Sequence, residues 1–272
     1  MSRLKIRVCL LLFTGISLSL IGGWAQVPEN PTGEEILQCA RGNWVEGTFH
    51  GLIRLELFRP EYSRLYRLEA WTEGEDKALM RLLEPEEEAG SGYLRAGDEL
   101  WYYHPDAAQA VSLPLSALSQ NFFGADASLE DLYRGTLNEN FDIELLGVRP
   151  ASTEESTAKD DRVYQLRLTP KPEASVVYGK LEMLVRASDC AILVVHYFDQ
   201  RQTLIRQAAF SNFALVGAEG QKRMIPLTMI FDDLLTQGSR TIEEIESYEF
   251  DIEIPEEMFT VGCLVEVKCG SP

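Results

Sequence analysis

The chain has 272 residues, 45% of them hydrophobic and 25% charged, with 43 acidic against 25 basic side chains and a formal net charge of -18. That apolar content excludes a disordered acidic tail and suffices for one large core or two ordinary ones. The acidity excludes nucleic acid as a partner, because phosphate binding needs clustered Lys and Arg to displace counterions.

Arg3, Lys5 and Arg7 precede an almost uninterrupted apolar run from Val8 to Ile21, and Gly23-Trp24-Ala25 sets small residues at both positions a signal peptidase reads. Residues 1–25 therefore read as a secretory signal peptide, and 26–272 as one exported domain. The apolar run is shorter than the ~20 residues of a membrane-spanning helix, and no later segment approaches that length. Charged residues just before Cys9 do not suit lipidation. Export lets Cys39, Cys190, Cys263 and Cys269 oxidise in any of three pairings. Val265-Glu266-Val267 reads as strand, which would hold Cys263 and Cys269 ~20 Å apart against a disulfide limit of ~7 Å, so that pairing needs a turn. His50, His104 and His196 are too scattered to complete a zinc site.

Pro31-Thr32-Gly33-Glu34-Glu35, followed by Ile36, Leu37 and Ala40, predicts a helix with Thr32 as N-cap, acids in its first turn and Gly42 as its stop. Beyond it the period becomes two. Ile53, Leu55 and Leu57 alternate with Arg54 and Glu56; Tyr62, Tyr66, Leu68 and Ala70 share a parity; Leu181, Met183 and Val185 alternate with Glu182 and Arg186. Tyr248, Phe250, Ile252 and Ile254 alternate with Glu249, Asp251 and Glu253. In 191–198 both parities are apolar, which predicts a strand covered on both faces. Turn signals separate about ten or eleven strands, with no helix of crossover length between them, so the sheet is antiparallel and closed or nearly closed on itself.

Two stretches break the period. Residues 113–135 mix Leu115, Leu118, Phe122, Phe123, Leu129, Leu132 and Tyr133 with Ser, Asn and Asp, and Ser128-Leu129-Glu130-Asp131 resembles a helix cap. This segment is either a plug of short helices filling the barrel mouth or a mobile lid over a cavity. Residues 150–161 are polar, lack aromatics and predict an exposed hairpin loop.

Catalytic patterns are missing: no GxSxG, HExxH, Walker A or GxGxxG sequence occurs. Ser156-Thr157-Ala158-Lys159 fits SxxK only inside the most polar loop, where nothing would depress a lysine pKa. Glu84-Pro85-Glu86-Glu87-Glu88 lacks the spacing of a calcium loop. Asp126, Glu130 and Asp131 have no neighbouring group to divide acid and base roles with.

An ordered series of segments resembles the larger branch of the LolA-like outer-membrane lipoprotein-sorting family. It comprises Met80-Arg81-Leu82-Leu83-Glu84-Pro85, Gly92-Tyr93-Leu94, Asp98-Glu99-Leu100-Trp101-Tyr102-Tyr103-His104-Pro105 and Asn121-Phe122-Phe123-Gly124-Ala125-Asp126-Ala127-Ser128-Leu129-Glu130-Asp131-Leu132. Further along come Val163 to Lys171, Tyr178-Gly179-Lys180-Leu181-Glu182, Tyr197-Phe198-Asp199, Phe210-Ser211-Asn212-Phe213, Ile225-Pro226 and the ending Asp251 to Thr260. The resemblance implies a mainly β fold, a large antiparallel half-open barrel with short helices plugging its mouth. It also implies a periplasmic, non-enzymatic, monomeric carrier of acyl chains, with no cofactor, no metal and no catalytic residue. A lipidated protein or another acyl lipid is the expected cargo, and inner- and outer-membrane receptors or transporters the expected partners. Alternatives are an accessory to an inner-membrane lipid exporter and a structural envelope protein with a filled barrel. Strand parity offers Ile53, Leu55, Leu57, Met80, Leu82, Leu100 and Tyr102 for the lipid-binding wall, and Leu115, Leu118, Phe122, Phe123, Leu129 and Leu132 for the plug. Parity alone leaves open which face points inward.

Overall fold

Among the described residues the two-residue period folds into one antiparallel sheet of thirteen strands, where turn signals predict about ten or eleven. The computed structural model describes residues 30–266, apart from 46, 108, 129–139, 175 and 218–221, together with residue 269. The predicted signal peptide, Leu129 and Leu132 lie outside these residues. The first meander contains β1 (Thr48–Phe58), β2 (Ser63–Glu73), β3 (Lys77–Glu84), β4 (Gly92–Ala96), β5 (Glu99–Tyr103) and β6 (Val111–Leu113). The second contains β7 (Phe141–Pro150), β8 (Arg162–Pro170), β9 (Lys180–Arg186), β10 (Ile192–Phe198), β11 (Leu204–Val216), β12 (Arg223–Asp233) and β13 (Arg240–Phe250). Their spatial order is β6-β5-β4-β3-β2-β1-β13-β12-β11-β10-β9-β8-β7. The β1–β13 pair thus joins the meanders, and the two edges, β6 and β7, are consecutive in sequence. The barrel is half open, and the chain that leaves one edge re-enters at the other.

Alternation puts one apolar row on the concave side. Ile53, Leu55 and Leu57 of β1, Tyr66, Leu68 and Ala70 of β2, and Met80 and Leu82 of β3 are buried there together with Leu166, Met183, Val195, Ala208 and Phe231 of the second meander. On the convex side Arg54 donates to Glu244 (2.7 Å) and Arg67 to Glu246 (2.8 Å), half-exposed pairs that contribute little each. The doubly apolar run at 191–198 has a different cause from the one predicted. Ile192 faces Val185 and Val195 faces Met183, with a register shift between Ile192 and Val194, so a bulge switches the inward parity within one strand. The run predicted through Ile254 ends at Phe250, where Asp251 adopts a left-handed conformation (φ 56) and turns the chain.

The predicted helix is α1 (Gly33–Val45), which runs past Gly42. Its capping box is complete: the Thr32 amide donates to Glu35 Oε2 (2.8 Å) and the Glu35 amide donates to Thr32 Oγ1 (3.2 Å). Ile36, Leu37 and Ala40 are fully buried in the concave core. Gly33 is needed for the approach to β7, since a Cβ there would lie 2.9 Å from Ile143 Cγ2. Cys39 is disulfide-bonded to Cys190 in the β9–β10 turn. The second bridge joins Cys263 to Cys269, with Cα atoms 5.2 Å apart, because the predicted strand is instead a short helix, α2 (Val261–Val265). Met258, Phe259, Cys263 and Leu264 cover Trp71, Leu79, Leu94 and Tyr103 on the convex face, so β3 and β4 are buried on both sides. Arg81 Nη2 donates to the Cys263 carbonyl (2.6 Å) and holds the C-terminal end of α2 on the sheet.

Candidate functional site

Of the seven residues that sequence offers for a wall, five share the concave row, and the structure fixes their inward parity. Ile53, Leu55, Leu57, Met80 and Leu82 are all buried in the concave core. Leu100 is fully buried, and Tyr102 lies opposite Tyr93 with ring centroids 4.8 Å apart, on the face that meets the plug. Of the plug residues, Phe122 is 1% exposed, and Leu118 and Phe123 pack half-buried against the same core. Leu115 departs from expectation: it is 40% exposed, because it starts a 3-10 turn at the rim instead of pointing into the barrel.

Among the described residues the plug consists of two short 3-10 helices, Leu115–Ser119 and Phe122–Gly124, the second of them held in a tight loop. The Phe122 amide donates to Ala127 O (2.9 Å), and Asn121 and Ser128 form an isolated bridge at its neck. Phe123 sits in the left-handed region (φ 45), a conformation that costs about 1 kcal/mol or more for a bulky residue. Aromatic contacts hold it there: Phe123 lies 5.5 Å from Tyr66 and 5.6 Å from Tyr93, and Phe122 is 5.5 Å from Tyr93. Burial in this cluster pushes the Tyr93 phenol up to about 12, so it stays neutral.

Four side chains absent from the predicted set fasten the plug. Asp126 Oδ2 accepts from Arg59 Nη1 (2.9 Å) and from Thr241 Oγ1 (2.9 Å), while the Asp126 amide donates to Thr241 Oγ1 (2.8 Å). Arg206 Nη1 donates to the Asp126 carbonyl (2.8 Å), its guanidinium 3.8 Å above the Tyr197 ring, and Arg59 Nη2 donates to the Gly124 carbonyl. These residues come from β11, β13, the end of β1 and the plug, so no local pattern announces them. Only Asp126 stood out in sequence, as a carboxylate without a role.

Burial raises the Asp126 pKa above the ordinary carboxylate value, opposed by the Thr241 hydrogen bond and the Arg59 charge. With the folded value above the unfolded one, its contribution to stability is complete below pH ~3.9 and is lost as pH rises through the raised value. The stability advantage of the wild type over Asp126→Asn is therefore expected to shrink between pH 4 and pH 7 in urea titrations. An advantage that grows with pH would contradict this.

At the opposite end a narrow cavity of about 90 Å³ opens between the β2–β3 turn and the wall. Ile53, Leu55, Met80, Met229 and Ile245 line it, Glu243 lies at its depth, and Thr72, Glu75 and Lys77 stand at the mouth. Arg41 of α1 pairs with Glu75 across this entrance. The remaining candidates stay apart. Ser156 donates to Asp161 (2.6 Å) in the exposed hairpin, and His50 stacks on Trp71 and bonds Glu69 on the convex face. No helix among the described residues is long and apolar enough to cross a membrane.

A family model described as "uncharacterized protein" matches residues 74–265. No curated protein matches the chain in sequence. Among solved structures, a putative outer membrane lipoprotein-sorting protein domain from Vibrio parahaemolyticus superposes with a TM-score of 0.72 at 18% identity, covering 86% of this chain and 98% of that one. A DUF1329 family protein from Desulfovibrio piger gives 0.70 at 18% identity, over 84% and 95% of the two chains. A LolA superfamily protein from Nitrosomonas europaea gives 0.68 at 21% identity, over 85% and 98%. The half-open barrel thus shares its fold with these structures, and the chain belongs to the family of uncharacterized proteins whose model spans residues 74–265.

Proposed function

We propose that this protein is a periplasmic, non-enzymatic carrier that takes the acyl chains of a lipidated protein into its concave face and moves them toward the outer membrane. The observation that carries the reading is the plug: a strained loop, fastened by a handful of polar contacts, standing over a continuous apolar wall. A sixteen-carbon chain costs about 13 kcal/mol to leave in water at ~0.8 kcal/mol per CH₂, so crossing an aqueous gap requires a shield. Release at the far side favours many weak apolar contacts over a tight polar site. The cavity of about 90 Å³ is too small for such a chain, since a cavity of about 150 Å³ holds only a benzene. Loading therefore requires the plug to move out and its place to be taken by the cargo.

Protein purified from its native periplasm, extracted and weighed by mass spectrometry, is expected to release acylated peptide. Free phospholipid would favour the exporter accessory instead. The filled-barrel reading draws on the small cavity and predicts that nothing is recovered and that a neutral fluorescent alkyl probe is not taken up, a joint result that would end the carrier proposal. Within it, Leu100→Asp, at a fully buried wall position, is expected to weaken probe binding at least tenfold, and Glu87→Ala, in an exposed turn, less than twofold. Equal effects in folded protein would remove Leu100 from the wall.

A further inference from the structure

The tip of the β12–β13 hairpin is apolar where a turn is ordinarily polar. Leu234 and Leu235 follow the last residue of β12, and Leu235 stands 70% exposed ahead of Thr236-Gln237-Gly238-Ser239, which makes the turn. The backbone fixes their place: the Leu234 amide donates to Ile205 O (3.0 Å) and the Leu235 amide to Asp233 Oδ1 (2.8 Å). On either side of this knob the surface is hollow. One recess, of about 690 Å³, has Phe58, Leu234 and Ile242 as apolar walls and Asp232, Asp233 and Arg240 as polar ones. The other, of about 400 Å³, lies between the tip and the β1–β2 turn, where Tyr62 is 59% exposed, and it is lined by Arg59, Glu61, Asp126 and Asp233. Both cations are already matched, Arg240 by Asp232 (2.5 Å) and Arg59 by Asp126 (2.9 Å), so Glu61 and Asp233 give the surroundings of the knob a net negative charge.

We infer that this hairpin tip is a docking site for a protein segment in which lysine or arginine alternates with apolar side chains. The apolar ones close over Leu234, Leu235 and Tyr62, and the cations enter the two recesses. The inference concerns a partner and does not rest on acyl carriage. A bilayer fits the same surface less well: a flat boundary leaves recesses on both sides of a knob unfilled, and anionic headgroups repel acids beside the tip. Two leucines and a tyrosine also bury less than a fatty chain, which by itself anchors only marginally. A second copy of the chain, related by a two-fold axis, would set like-charged recesses face to face. A cationic segment meets opposite charge instead, which speeds its encounter and fixes its register, while covering the leucines removes apolar surface from water. A patch this small makes a transient contact.

The test is fluorescence polarisation of a labelled peptide of alternating lysine and leucine, about ten residues long, titrated with the full chain at low salt. A peptide of alternating glutamate and leucine serves for comparison, and the lysine peptide is expected to bind at least tenfold tighter. Leu235→Ser, at an exposed position, is expected to weaken it at least tenfold, and Asp233→Asn, which keeps the acceptor for the Leu235 amide, at least threefold. Leu215→Ser, at an exposed leucine near the far end of β11, and Glu154→Gln, in the exposed 150–161 hairpin, are expected to change it less than twofold. A lysine peptide that binds no better than the glutamate one, an unchanged affinity in Leu235→Ser, or equal losses at Leu235 and Leu215 would overturn the inference. So would two results that give the tip another occupant: Leu235-dependent flotation with phosphatidylcholine vesicles, or a Leu235-dependent dimer in sedimentation.

Discussion

Serine at both Cys39 and Cys190 is expected to lower the unfolding free energy by about 5 kcal/mol. The bridge closes a loop with a sequence separation of 151, and in the chain-entropy account its removal releases that much disorder into the unfolded ensemble. For a domain of this size the loss corresponds to roughly 10–20 °C in Tm. The same change at Cys263 and Cys269, separated by 6, should cost only about 2 kcal/mol. The two double variants, compared by calorimetry without reductant, check the ranking. A larger loss at the short bridge would mean that packing of α2 outweighs loop closure. The long bridge also decides where α1 sits, because it fixes the buried face of Ile36, Leu37 and Ala40 over the concave core. Reduced protein is accordingly expected to expose this face and bind a hydrophobic dye.

Asp126→Ala is the second large effect, expected to destabilise the protein by about 3–5 kcal/mol, since it leaves the Arg59 guanidinium and the Thr241 hydroxyl without their carboxylate in a mostly buried site. The sign of a second readout separates a fastening role from a merely structural one. If Asp126 holds the plug shut, the variant takes up alkyl probe faster than the wild type even as it loses global stability, and the amides of Phe122 and Ala125 exchange faster than those of β8 and β9. Uptake slowed in step with stability would show that the loop is ordinary core. Thr241→Val keeps the shape and removes only the hydroxyl. It should reproduce the effect at about 1–3 kcal/mol, because Asp126 then loses one donor and its own amide loses an acceptor.

Much of the barrel was legible because a half-buried strand must alternate, as Ile53, Leu55 and Leu57 do, and because no helix of crossover length intervened. Where the reading went astray, a single residue changed the phase. The bulge between Ile192 and Val194 turned a parity switch into apparent two-sided burial, and the left-handed Asp251 cut short an alternation that sequence continued to Ile254. At Cys263 the same local ambiguity made a helix turn look like strand, and with it hid a disulfide. The inward row was legible in the same way, down to Met80 and Leu82 of the concave core. Its polar part was not. Arg59, Asp126, Arg206 and Thr241 meet only after the sheet has curved, and Glu243 occupies an inward position in Glu243-Glu244-Ile245-Glu246, where composition suggests a solvated face.

The chain ends bear on how such a barrel can breathe. α1 leads directly into β1 of the first meander yet is bonded and packed to the second, at Cys190 and Ile143, while the segment after β13 crosses back to cover β2 to β5 of the first. Each terminal segment is therefore a clasp thrown over the β1–β13 seam from the opposite side. Flexing the barrel at that seam would peel both clasps, with the apolar clusters beneath them. The compliant place is the other one, between β6 and β7, where no strand pairing has to break. The closure of the seam thus leaves the free edges of β6 and β7 as the place where the barrel can widen without breaking a strand pair.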